Sequence, residues 1–178
     1  SFCNAGPVLF GCATYVPPLM KYVEKYGINL DFGHNLTKVD GQSKKAWFSV
    51  KKEGEDAKTI ERSFDMIHVC PPQRAPDFIK NSPLANEGGW VDVNAETLQH
   101  NKFSNIFSLG DVTSTSNAKT VAAARKQAPI VAQNIIAYLD KKEPKPLYDG
   151  YGSCPLTVEK GKIILAEFGY GGKVMPDR

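Results

Sequence analysis

The chain has 178 residues, 42% hydrophobic and 23% charged, with a formal net charge of +3, a balance suited to a globular protein with a real core. Its lysines are scattered, not gathered into basic blocks with interleaved aromatics, which argues against a nucleic-acid partner. No apolar run approaches the roughly 18 residues of a membrane-spanning helix, no charged-then-apolar leader opens the chain, and Cys3, Cys12, Cys70 and Cys154 have neither the density of a disulfide framework nor the spacing of a metal site.

The opening "SFCNAGPVLFG" reads as a strand end interior to a longer protein. In "YVPPLMKYVEKYGI" the spacing of Leu19, Tyr22, Val23 and Tyr26 predicts a short amphipathic helix, started by prolines and stopped by Gly27. "INLDFGHNLTKVD", "KKAWFSVKK" and "IERSFDMIHVC" follow as strand-like runs broken at Gly33, Asp40-Gly41 and Glu53-Gly54, a small antiparallel meander. The prolines of "CPPQRAP" and "KNSPLANEGG" make residues 71–90 an irregular crossover and a candidate domain boundary.

Beyond it, "NIFSLGDVTSTS" predicts a buried strand ending at a Gly-Asp pair. The following helix carries Val121, Ala124, Ala128, Val131, Ile135 and Leu139 as a stripe suited to packing on a sheet, with a kink or a tightened turn expected at Pro129. "CPLTVEKGKIILAEFGY" predicts a hairpin turning at Glu159-Lys160-Gly161, and "GYGGK" a flexible turn.

A strand, a Gly-Asp pair and then a helix opening on small residues can handle a cofactor. Gly110 permits close backbone approach, Asp111 offers a carboxylate to a sugar or polyol hydroxyl, and the helix end offers unpaired N–H groups with a favourable dipole. The same pair also serves simply as a turn that caps a helix. Cys154 alone reads as a small buried hydrophobe at a strand start. His34, His68 and His100 are spaced for ordinary hydrogen bonding.

Four long segments change the weighting. "FDMIHVCPPQRAPDFIKNSPLAN", "GGWVDVNAETLQH", "NIFSLGDVTSTSNAKTVAAA" and "YDGYGSCPLTVEKGKIILAEF" resemble, in that order, the segments of the sulfide:quinone oxidoreductases, particularly the branch containing the mitochondrial enzyme. The resemblance implies an α/β Rossmann-like FAD/NAD(P)-binding fold, present in part. Residues 1–65 would be the later part of an NAD(P)-like domain, 66–145 the returning part of an FAD-binding domain with "FDMIHVCPP" as its leading strand, and 146–178 a hairpin carrying a redox cysteine.

The resemblance also implies roles. Cys154 would be one of two redox-active cysteines beside the flavin, its partner preceding Ser1. Lys119 and Thr120 would turn their backbone N–H groups to the flavin pyrimidine edge, although Lys119 could equally be a solvated lysine at a helix start. Cys3, Cys12 and Cys70 match no redox position and are expected to be buried and inert. The implied cofactor is FAD, expected to be missing from the isolated piece. Implied partners are sulfide, a quinone (ubiquinone or menaquinone), a sulfur acceptor, and a membrane reached peripherally through a segment beyond Arg178. The implied location is the bacterial cytoplasmic membrane or the mitochondrial inner membrane. A flavin-dependent NADH:quinone reductase and a cofactor-free interaction module are the alternatives.

Overall fold

A computed structural model describes residues 1–51, 56–117 and 119–176. It divides into two compact units, Ser1–Pro71 and Pro72–Arg178.

In the first unit, β1 (Phe2–Asn4) lies parallel to β2 (Leu30–Phe32), and α1 (Val16–Lys25) connects them. Prolines 17 and 18 open α1, where an amide N–H would have no intrahelical acceptor, and Gly27 ends it at φ +59. Gly33, at φ +68, then separates β2 from β3 (His34–Asp40). The strands β3, β4 (Lys45–Val50) and β5 (Lys58–Ser63) form the expected antiparallel meander, with Ala46 and Phe48 of the central strand buried. The predicted Glu53-Gly54 turn lies outside the described residues.

The "FDMIHVCPP" segment departs from expectation, since β5 stops at Ser63 and no strand follows through Pro72. A strand needs a neighbour to take up its N–H and C=O groups, and no described residue ladders with this one. The same irregular course leaves Cys70 exposed instead of buried, with Sγ 3.6 Å from His68 Nε2. Cys12 is buried as expected, and Cys3 is half-buried.

The second unit begins with a single helical turn, α2 (Asp77–Lys80), and continues through loops joined by isolated bridges. The strand predicted to end at Gly110 is one of these loops. Leu109 is extended and Phe107 bridges Gln99, but no ladder forms. The core gathers Val91, Val93, Leu98, Val131, Tyr148 and Tyr151.

The long helix α3 (Val121–Leu139) runs as one element through Pro129, which sits on an exposed side. Its buried face shares Val131 with the predicted stripe but otherwise differs from it. Ala123, Gln127, Val131 and Asn134 are buried, whereas Val121 is 87% and Leu139 71% exposed, and Ala128 and Ile135 also face outward.

The reason is what α3 packs against. Irregular loops carry backbone groups with no ladder partners, and amide side chains can supply them. Asn134, 1% exposed, donates through Nδ2 to Thr97 O at 3.0 Å and Pro146 O at 3.1 Å. Gln127, 2% exposed, accepts the Gly110 N–H at 2.7 Å. Asn134→Ala should therefore lower the unfolding free energy by about 2–4 kcal/mol, because it strands two carbonyls and opens a void. Urea unfolding checks this.

A hairpin of β6 (Gly152–Glu159) and β7 (Lys162–Phe168) completes the fold, with Gly161 at φ +74 in its turn and Cys154 opposite Ala166. The "GYGGK" segment is packed instead of loose. The Tyr170 hydroxyl donates to Ala95 O at 2.7 Å, and its ring meets Tyr148 edge-on.

Candidate functional site

Cys154 lies near the start of β6, half-buried, and opens onto a cavity of about 500 Å³. Ser153 and Pro155 flank it there, and the opposite wall is the first turn of α3, namely Thr120, Val121 and Ala122. Thr120 is the N-cap, in extended conformation, and its side chain accepts the Ala123 N–H at 3.3 Å. The Ala124 N–H bonds Thr120 O at 3.0 Å. The first-turn amides with no intrahelical acceptor are then those of Val121 and Ala122, two of the cavity residues.

The thiol and the positive end of a 19-residue helix thus share one space. Burial nevertheless pushes the Cys154 thiol pKa up, because desolvation disfavours the thiolate. Its alkylation rate should therefore reach half-maximum above the ordinary thiol range, as a labelling series across pH would record. A raised folded-state value also has a stability consequence. The contribution of this thiol is complete below its unfolded pKa and is lost as pH rises through the folded one.

The other predicted residues sit apart from the cavity wall. Gly110 opens a 3-10 turn, Gly110–Val112, at φ +75, where a left-handed backbone favours glycine. Asp111 is exposed on that turn. Lys119 does not project into solvent. Its Nζ donates to Thr113 O at 2.6 Å and lies 4.1 Å above the Trp90 ring. Burial pulls its pKa down, with the Asp111 charge opposing.

Of the five residues singled out in the sequence, Cys154 and Thr120 meet at the cavity, while Gly110, Asp111 and Lys119 do not line it. The sequence reading missed Val121 and Ala122 as lining residues. Their position in the first turn of a capped helix is the available signal, but hydrophobic spacing places Val121 on the core-facing stripe.

The chain is 43% identical over 174 residues to the mitochondrial sulfide:quinone oxidoreductase of Dictyostelium discoideum, covering 97% of this chain and 37% of that protein. The Mus musculus and Schizosaccharomyces pombe mitochondrial sulfide:quinone oxidoreductases are each 37% identical, over 169 and 172 residues. This chain belongs to the sulfide:quinone oxidoreductase family.

It spans 37% of the length of these curated relatives. The partial α/β fold agrees with the flavoprotein class of sulfide:quinone oxidoreductases. Among solved structures, a chain from the Tetrahymena thermophila mitochondrial ATP synthase, an F1Fo composite tetramer, superposes with a TM-score of 0.81 at 28% identity. That match covers 97% of this chain and 41% of the Tetrahymena chain. No protein-family model matches.

Proposed function

We infer that this chain supplies the redox-cysteine portion of a sulfide:quinone oxidoreductase. The observation that carries this reading is Cys154 opening onto a cavity whose other wall is the first turn of α3. FAD fits the residues present. The Val121 and Ala122 amides point to an electron-rich edge, and Asn117 Nδ2, in the loop entering α3, is a buried donor with no acceptor among the described residues. When bound, FAD supplies two-electron chemistry between sulfur and quinone.

The role of Cys154 follows from thiol exchange. In a disulfide between Cys154 and a second cysteine, in the length of the relatives that this chain does not span, hydrosulfide attacks the Cys154 sulfur. The S–S bond breaks, the second cysteine leaves as thiolate, and Cys154 keeps the persulfide. A raised pKa makes a thiol a poorer leaving group, and burial pushes the Cys154 thiol up, which disfavours its own departure. A sulfur acceptor then takes the sulfane sulfur.

The substrates are sulfide and a quinone, and the protein meets a membrane peripherally, at the mitochondrial inner membrane or a bacterial cytoplasmic membrane. No helix among the described residues is long and apolar enough to cross one. The test is quinone reduction by the full-length protein with sulfide and with NADH as separate donors. Turnover with sulfide and none with NADH is the expected result, and the reverse overturns the reading.

A further inference from the structure

Two pieces of the candidate site, the Gly110 turn and the strand of Cys154, are far apart in sequence, and one buried side chain reaches both. Gln127 accepts the Gly110 N–H through Oε1 at 2.7 Å, and its amide sits by the Tyr148 hydroxyl, where it counters part of the upward pKa shift that burial gives that group. Tyr148, 1% exposed, donates in turn to Tyr151 O, the residue immediately before β6. The Tyr151 hydroxyl donates to Glu167 of β7, which pairs in register with Ser153, next to Cys154.

An isolated glutamine inside a helix would be a poor choice for a core position, because burying an amide without partners costs more than an apolar side chain of equal size. Here both ends of the amide are used. The acceptor end holds the amide of a glycine at φ +75, and the other end faces Tyr148, from which hydroxyl bonds run to Tyr151 and on to Glu167, the register partner of the residue before Cys154. A buried polar network of this kind favours one geometry, where apolar packing alone would tolerate several.

We propose that Gln127 is a positioning residue that holds the Gly-Asp turn and the Cys154 strand in fixed register with each other. The proposal takes its two endpoints from the functional reading above, but its test uses neither flavin nor sulfide, so either can fail without the other.

The measurements are hydrogen exchange at the Gly110 amide and maleimide labelling of Cys154, the latter read by peptide-level mass spectrometry. The Leu98 amide, bonded to Asn94 O in a fully buried residue, reports global opening. Gln127→Met keeps length and removes both polar ends. It should speed Gly110 exchange relative to Leu98 by about 10-fold and speed Cys154 labelling several-fold. Gln127→Glu restores an acceptor and should recover most of the Gly110 protection, which a residue that only fills space would not require.

Parent-like behaviour of Gln127→Met at both sites overturns the proposal, as does loosening at Gly110 with unchanged labelling of Cys154. If Gln127→Met does not fold, Tyr148→Phe decides. Faster Cys154 labelling with Gly110 still protected supports the link, and unchanged labelling overturns it.

Discussion

Cys154→Ser in the full-length protein is expected to abolish sulfide-dependent quinone reduction, a loss of at least about 10³-fold, the scale on which removal of a covalent catalytic group acts. Serine keeps the size and the strand position but cannot form the disulfide that the proposed role requires. The cavity wall contributed by Thr120, Val121 and Ala122 is untouched, so the variant should retain its FAD and its visible spectrum. Loss of activity together with loss of the flavin would assign Cys154 to cofactor binding instead of sulfur chemistry. Retained turnover would remove it from the reaction altogether.

The second large effect is on stability. Gly150 adopts φ +83, and a Cβ placed there would lie 2.4 Å from Tyr170 Cγ. The ring cannot step aside, because its hydroxyl is bonded to Ala95 O and the ring packs against Tyr148 in a T-shaped pair, 5.7 Å between centroids. Gly150→Ala combines a backbone penalty with a clash in the core and should cost about 3–5 kcal/mol. Gly161→Ala is the natural control. It shares the positive φ, +74, but a Cβ there meets nothing within 4 Å, so its cost should stay near 1 kcal/mol. Equal urea midpoints for the two variants would refute the packing argument around Tyr170.

These contrasts indicate which parts of the molecule could be read from the residues alone. The helix ending at Gly27 and the hairpin turning at Gly161 were legible because their signals are local and adjacent. The strands expected in "FDMIHVC" and "NIFSLGD" were not, because a strand is a property of two segments and the second was never visible in the first. On α3 the apolar stripe misled for a related reason. Hydrophobic spacing says what a helix could bury, but the loops around it required amides, and Gln127 and Asn134 answer partners 17 and 37 residues away. The approach of Cys154 to Thr120 had no sequence signal of its own, and was anticipated only through the family resemblance.

Pro155, the neighbour of Cys154 in the cavity wall, has one more effect. It can stay inside β6 only with its nitrogen turned away from β7, so the outer border of the hairpin lacks a donor right beside the sulfur. An extended peptide trying to zip onto that border would meet a gap at this point. That border is thereby protected from pairing with a stray strand at the point where the thiol opens onto the cavity.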